Sequence, residues 1–135
     1  MTNQLGRFTL LVRSYDEAID FYSRLGFEVI HDTPGPPHRF VHMGMPGQTP
    51  VGLWLWEATG DQADLVGKQS GGHPLLVIYT ENGRAEYERL KSAGVEMMGE
   101  PVTEGSSTYF HVIDPYGNVI VIVEQQEGGE VRGES

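Results

Sequence analysis

The chain has 135 residues, enough to bury the core of one domain, and a formal net charge of −10. It contains no cysteine, which excludes disulfides and thiolate chemistry, and its acidity argues against nucleic acid as a partner. No basic segment followed by an apolar run begins the chain, and no apolar stretch could span a bilayer. We therefore expect a cytoplasmic protein with no membrane partner.

The first half of the sequence predicts a β-α-β-β-β unit over residues 5–56, here called module 1. Residues 8–12 form a short apolar run typical of a strand. Ser14 and Glu17 have the spacing of a capping box, and Gly26 suits the end of the helix that follows. Further strands are predicted at 27–31, 39–43 and 51–56.

The second half predicts the same order over residues 73–125, here called module 2, after a polar linker at 57–72. Asp114-Pro-Tyr-Gly-Asn118 predicts a tight turn, because Pro presets φ and Gly accepts a positive φ. The Gly- and Glu-rich residues 126–135 predict a disordered tail. The remaining predictions are strands at 74–79, 95–98, 107–113 and 119–124, a helix at 83–93 and a loop at 101–105.

A constant offset relates the two modules. Gly26 returns as Gly94, an offset of 68 positions (94 − 26), and Ser14 returns as Asn82, another good N-cap. The same offset places Val51–Leu55 on Val119–Val123. A repeat of this length that occurs only twice indicates a duplicated supersecondary unit.

The paired modules, the helix motif Asp16–Tyr22 leading to Leu25-Gly26-Phe27, and the turn at 114–118 together resemble the vicinal oxygen chelate superfamily. That superfamily includes glyoxalase I, extradiol dioxygenases, fosfomycin-resistance transferases and bleomycin-resistance proteins. The resemblance covers residues 5–125 and implies an α+β fold, with two tandem β-α-β-β-β modules forming a curled mixed sheet. A ferredoxin-like dimeric barrel is the alternative, disfavoured by the extra strand in each half.

In enzymes of that superfamily, His, Gln or Glu side chains from the first and last strands of each module hold a divalent metal. The resemblance, applied with the offset of 68, places these positions at Arg7, Leu53, Leu75 and Val121. None of these side chains is an ordinary ligand of a divalent cation. We therefore expect no metal and no cofactor, although a metal site elsewhere in the chain stays an alternative.

Strand alternation from Arg7 predicts which side chains line the cup of the resembling fold. The resemblance adds the two positions in the strand before the turn that contact substrate in such enzymes. The predicted ligand-binding residues are Arg7, Thr9, Leu53, Leu55, Tyr79, Tyr109, His111 and Val121. An apolar cavity with a few polar groups is typical of a small-molecule site. A cup filled by its own aliphatic side chains is the alternative.

Trp54 and Trp56 alternate with leucines, so both faces of their strand are apolar. They either pack against helices or a dimer partner, or form an aromatic wall that stacks a planar or cationic ligand. Glu57 and Asp61 lie just beyond them and would favour a cation.

These features predict a metal-free, glyoxalase-like protein that binds a small molecule, with sequestration or antibiotic resistance as one form of that role. The alternative is a superfamily enzyme of lyase, isomerase or dioxygenase type, with His111 as acid or base and Arg7 as anion clamp, or with a metal. A structural or regulatory dimer is a third possibility, and whether the protein is an enzyme stays undecided.

A homodimer is expected. Because an unpaired buried guanidinium is costly, we also expect a carboxylate or similar oxyanion of the ligand beside Arg7.

Overall fold

The structure is a computed structural model that describes residues 2–48 and 50–125. Its contacts divide the chain into two compact units, with the division between Gln69 and Ser70. Each unit contains one mixed sheet and one α-helix longer than two turns. The predicted disordered tail at 126–135 lies outside the described residues.

The first unit contains a four-stranded sheet in the order β1-β4-β3-β2. Strands β1 and β4 are parallel, whereas β4, β3 and β2 form antiparallel pairs. Its elements are β1 (Arg7–Val12), α1 (Tyr15–Arg24), β2 (Glu28–Thr33), β3 (Phe40–Gly44), β4 (Gly52–Glu57) and a 3-10 helix (Gly60–Leu65). The predicted linker at 57–72 therefore contains a short helix.

Helix α1 begins and ends as its sequence predicts. The Ser14 hydroxyl oxygen accepts a hydrogen bond from the Glu17 backbone N–H at 3.2 Å, which satisfies one of the free amides of the first turn. Gly26 has a φ of 111°, a conformation that favours glycine after a helix end. The helix contacts β2 and β4, and its side chains Ala18 and Tyr22 are fully buried.

Strand β1 lies at the edge of its sheet, where backbone groups lack a neighbouring strand. The side-chain amide of Gln69 supplies the missing partners. Its Nε2 donates to the Thr9 carbonyl at 3.0 Å, and its Oε1 accepts from the Leu11 N–H at 2.6 Å. One side chain therefore pairs with this edge as a peptide group would.

The second unit contains a five-stranded sheet in the order β5-β9-β8-β6, with β7 paired to β8. The predicted loop at 101–105 is wrong in part, because residues 102–104 pair with β8 as a short strand. The elements are β5 (Leu76–Thr80), α2 (Gly83–Ser92), β6 (Glu96–Met97), β7 (Val102–Glu104), β8 (Ser107–Ile113) and β9 (Val119–Glu124).

The turn between β8 and β9 is held by a buried carboxylate. Asp114 Oδ1 accepts from the backbone N–H groups of Tyr116 at 2.9 Å and Asn118 at 2.8 Å. Its Oδ2 accepts from Asn118 Nδ2 at 2.9 Å, and Gly117 has a φ of 95°. The predicted tight turn is confirmed, and its sequence supplies both the acceptor and the glycine that the geometry needs.

The two units together confirm the predicted α+β fold with tandem β-α-β-β-β modules. Parallel β1–β4 and β5–β9 pairs bring the first and last strands of each module side by side. Within the described residues, no helix is long and apolar enough to cross a membrane.

Candidate functional site

The pairing of strands changes the equivalence between the two modules. Phe8 lies opposite Leu53 in the first sheet, and Leu76, its mate at 68 positions, lies opposite Ile120 in the second. Leu53 therefore corresponds to Ile120, an offset of 67 (120 − 53). Two differences in length combine to give this shift. The connection between the last two strands is two residues longer in the first unit (45–51) than in the second (114–118). The segment before it is one residue shorter, because Val41 corresponds to Phe110, an offset of 69 (110 − 41).

This one-residue shift corrects the predicted face of β4. Leu53 and Leu55 are 2% and 0% exposed and belong to the packed face of the sheet, beside Leu10. The prediction that these two leucines share a face with Arg7 and Thr9 is wrong. Because side chains alternate along a strand, the tryptophans occupy that face instead: Trp54 lies opposite Thr9.

The face with the tryptophans carries a continuous set of rings, here called the aromatic cluster. Its members are His31, His38, Phe40, His42, Trp54 and Trp56. The ring centroids of Trp54 and Trp56 are 5.0 Å apart, and His38 lies 4.5 Å from Trp56. On the other side, His42 lies 5.5 Å from Trp54 and 5.7 Å from His31.

Several polar atoms of this face are buried without a hydrogen-bond partner among the described residues. They are His38 Nε2, His42 Nε2, Trp54 Nε1 and Arg7 Nε. A buried donor or acceptor left unpaired is costly, and such atoms in a native protein call for a partner. The aromatic cluster therefore combines a large stacking surface with unused hydrogen-bonding groups.

The electrostatics of the cluster favour a neutral His42. Burial lowers the pKa of this imidazole, and the positive charges of Arg7 and His31 lower it further. A neutral imidazole presents one donor and one acceptor to its surroundings. The influence of Arg7 on His42 also shows that the guanidinium charge acts on the aromatic cluster.

Arg7 forms no ion pair within the described part of the chain. Its Nη1 donates a weak hydrogen bond of 3.4 Å to the Gly6 carbonyl. The carboxylate of Glu124, at the end of β9, is engaged at the start of α2, where its Oε1 accepts from the Gly83 N–H at 2.9 Å. Arg7 is therefore a charged group for which the described residues supply no counterion.

The second unit brings together the other predicted site residues. Tyr109 and Val123 are paired, as are His111 and Val121, and the rings of Tyr109 and His111 lie 6.0 Å apart. Tyr79, opposite Val123 on β5, is 50% exposed. Val121 corresponds in position to Trp54 of the first unit, so the same structural position carries an aliphatic side chain in one unit and an indole in the other. The role of these residues in ligand binding stays a prediction.

The corrected strand register leaves the metal-ligand positions unsuited to a metal. They hold Arg7, Trp54, Leu75 and Val121, none of which offers a lone pair to a divalent cation. Within the described residues, no group of three His, Cys, Asp or Glu side chains is arranged to hold an ion. The residues present do not fit the divalent metal that the resemblance implies.

A cleft of about 490 Å³ adjoins the aromatic cluster within the first unit, beyond the end of β4. It shares His38 and Trp56 with the cluster. Sequence reasoning singled out Trp56 and Glu57 but missed the cleft, because its walls come from four separate segments. Its lining residues are Tyr15, His38, Arg39, Trp56, Glu57, Thr59 and Gln62.

The charged groups at this cleft are held in a defined arrangement. Arg39 donates two hydrogen bonds of 2.9 Å to the Asp32 carboxylate, and it lies 3.1 Å from Asp16. The hydrogen bonds from Arg39 lower the pKa of Asp32, and the two carboxylates raise the pKa of Arg39. Glu57 Oε2 accepts from the Tyr15 N–H at 3.0 Å and so caps the first turn of α1.

Comparison with known proteins supports the architecture. The sequence profile of the Glyoxalase/Bleomycin resistance protein/Dioxygenase superfamily matches residues 4–122. An uncharacterized protein of Shewanella frigidimarina is 33% identical over 123 residues, which cover 88% of this chain and 91% of the relative. The crystal structure of UcmS2 superimposes with a TM-score of 0.78 at 32% identity, covering 91% of this chain and 98% of the other. TnmS3, an antibiotic binding protein from Streptomyces sp. CB03234, superimposes with a TM-score of 0.69 at 24% identity, covering 93% and 98%.

Proposed function

Since the chain belongs to the Glyoxalase/Bleomycin resistance protein/Dioxygenase superfamily, we propose that it is a small-molecule-binding protein that sequesters a planar aromatic ligand on its aromatic cluster. The observation that carries this proposal is the contiguous set of six rings on one face of the first sheet. Stacked and edge-to-face ring contacts give both affinity and orientation to such a ligand.

The similarity to TnmS3 is in keeping with this role, since that protein is described as an antibiotic binding protein. An antibiotic-binding protein protects by lowering the free concentration of its ligand and needs no catalytic group. The metal-ligand positions, occupied by Arg7, Trp54, Leu75 and Val121, also favour binding over the metal-dependent reactions of the superfamily. Sequestration is therefore the function that these residues support best.

Arg7 indicates a second chemical feature of the proposed ligand, an anionic group. Its guanidinium has no acidic partner in the described part of the chain, and its charge acts on His42 of the aromatic cluster. A carboxylate or similar oxyanion of the ligand would form charge-assisted hydrogen bonds there. We infer an aromatic ligand that carries an anionic group at the Arg7 end of the cluster.

Three matched probes test the proposal: 1-pyrenecarboxylate, 1-pyrenemethanol and 1-pyrenemethylamine, which share one aromatic body. The chain contains two tryptophans, and both belong to the aromatic cluster, so energy transfer from tryptophan to pyrene reports binding at this face. Loss of tryptophan emission and a rise of melting temperature with probe concentration are expected. The carboxylate probe should bind more tightly than the alcohol.

Variants locate the binding site. Trp54→Leu should weaken all three probes by about 1–3 kcal/mol, the range for stacking of an aromatic base on a protein side chain. Arg7→Leu should weaken the carboxylate probe by about 1.5–3 kcal/mol and spare the alcohol. Leu65→Ala, which truncates an exposed side chain outside the cluster, is the control. Failure of every probe to bind, or equal binding by Trp54→Leu, would reject the proposed function.

A further inference from the structure

The cleft beyond β4 is continuous with the aromatic cluster, because His38 and Trp56 belong to both. Their rings are 4.5 Å apart, and His38 Nε2 is buried without a hydrogen-bond partner among the described residues. A ligand lying on the cluster would therefore reach the cleft across the ring of Trp56. The chemistry of the cleft then decides which group of the ligand it accepts.

The cleft does not offer a free positive charge. Arg39 lines it, but Asp32 takes two of its hydrogen bonds and Asp16 lies 3.1 Å from Nη1. The Arg39 guanidinium also stacks over Tyr15, with 5.4 Å between its central carbon and the ring centroid. An anionic ligand group would have to displace one of these carboxylates to pair with Arg39.

The cleft does offer a negative charge. The Glu57 carboxylate lines it, and one oxygen, Oε2, is used by the Tyr15 N–H. The other oxygen, Oε1, has no hydrogen-bond partner among the described residues. Asp16 and Asp32, which lie outside the lining, neutralise Arg39. Glu57 is therefore the charged lining residue that is left to pair with a ligand group.

We propose that this cleft is a cation subsite, in which Glu57 pairs with a protonated amine of the ligand while Trp56 contacts the amine or the carbon beside it. The proposal rests on the proposed function, since the aromatic body of the same ligand lies on the aromatic cluster. A carboxylate beside an indole face combines an ion pair with a cation–π contact, and an ammonium group satisfies both.

Arg7 and Glu57 lie at opposite ends of the β1–β4 pair. Arg7 lies opposite Gly52 at one end, and Glu57 lies at the other end, opposite Val12. Because side chains alternate along a strand, Gly52 and Glu57, five positions apart, belong to opposite faces of β4. The amine subsite is therefore reached at the end of β4, where Trp56 and Glu57 both line the cleft.

The test compares 1-pyrenemethylamine with 1-pyrenemethanol, which differ by an ammonium in place of a hydroxyl group. The amine should bind about three- to thirtyfold more tightly at pH 7, the combined range for a partly exposed ion pair and a cation–π contact. Glu57→Gln should remove most of the difference in affinity between the amine and the alcohol, and it should leave the affinity for the alcohol unchanged. The glutamine oxygen can still accept from the Tyr15 N–H, so the cap of α1 is retained.

Asp64→Asn is the matched control, because it removes one negative charge from the neighbouring 3-10 helix without changing the cleft lining. It should leave the amine-to-alcohol ratio as in the unaltered protein. Equal affinities for the two probes, with both bound, overturn the cation subsite and leave the proposed function standing. The cation subsite is also overturned if Glu57→Gln keeps the ratio of amine affinity to alcohol affinity, or if Asp64→Asn lowers that ratio as much as Glu57→Gln does. Absence of binding by every probe rejects both proposals.

Discussion

His42 and Trp54 lie directly opposite each other on the antiparallel strands β3 and β4, with ring centroids 5.5 Å apart and planes at 75°. This edge-to-face contact couples a titratable ring to one of the two tryptophans in the chain. Neither Nε2 of His42 nor Nε1 of Trp54 has a hydrogen-bond partner among the described residues. The pair therefore combines, within the aromatic cluster, a titratable imidazole with an indole N–H that has no partner among the described residues.

The first prediction is that acid destabilises the fold through His42. Folding lowers the pKa of this residue below its usual 6.5, so the unfolded chain binds a proton more readily. The contribution of His42 is therefore fully present above about pH 6.5, decreases as pH falls, and is lost below the lowered pKa. Urea unfolding of the protein and of His42→Gln between pH 5 and 8 should show a smaller pH dependence in the variant.

His73→Gln is the control for that experiment, because His73 is exposed and lies outside the aromatic cluster. Its pH dependence should match that of the unaltered protein. A His42→Gln variant whose free energy of unfolding falls with acid as steeply as the parent contradicts the prediction.

The second prediction concerns the two faces of the first sheet. Leu55→Ala empties a fully buried position and should cost about 2–5 kcal/mol of unfolding free energy, without a change in probe affinity once folded. Leu11→Ala, on the face with the tryptophans, should cost about 1 kcal/mol or less. Chemical denaturation of both variants measures the difference. Similar costs for the two leucines would mean that the faces are assigned wrongly.

The third prediction concerns the buried turn of the second unit. Asp114→Ala removes the acceptor for two backbone amides and for Asn118 Nδ2, and should cost about 1.5–3 kcal/mol. Differential scanning calorimetry against the exposed Glu88→Ala variant gives the comparison. A melting temperature of Asp114→Ala equal to that of Glu88→Ala would contradict the role given to this carboxylate.

The fourth prediction is that the protein carries no stoichiometric divalent metal. The positions that bind metal in superfamily enzymes hold Arg7, Trp54, Leu75 and Val121, which offer no suitable ligand atoms. Elemental analysis after dialysis should find far less than one ion per chain, and a chelator should leave the melting temperature unchanged. One tightly held Zn, Ni, Mn or Fe per chain is the contrary result.

The fifth prediction is a homodimer. Strand β2 is exposed along its whole length at one edge of the first sheet, and Val29 and Ile30 on it are each 43% exposed. Apolar side chains on an unpaired edge favour association. Sedimentation at micromolar concentration should give about twice the chain mass of 15.0 kDa, the mass of a two-fold assembly. A monomer at these concentrations rules the dimer out.

The elements and the family were accessible from the sequence. Local interactions determine the helix ends and the turn, because each of these features depends on residues only a few positions apart. The residues concerned are Ser14 and Asn82 as N-caps, Gly26 after the end of α1, and Asp114 in the turn. The repeat also predicts the topology, because the same sequence pattern at a fixed spacing indicates two modules with the same order of elements. The short strand at 102–104 escaped prediction because its partner, β8, supplies the hydrogen bonds that define it.

The sequence by itself thus determined most of the order of elements and the α+β architecture. Only the tertiary structure decided which side chains of β4 face the site. The chain from Gly26 to β4 holds one residue more than the chain from Gly94 to β9, which shifts the register by one, and a shift of one exchanges the two faces of a strand. That exchange buries Leu53 and Leu55 and brings Trp54 and Trp56 beside His38 and His42. Strand pairing is a contact between distant residues, so no local pattern contains it.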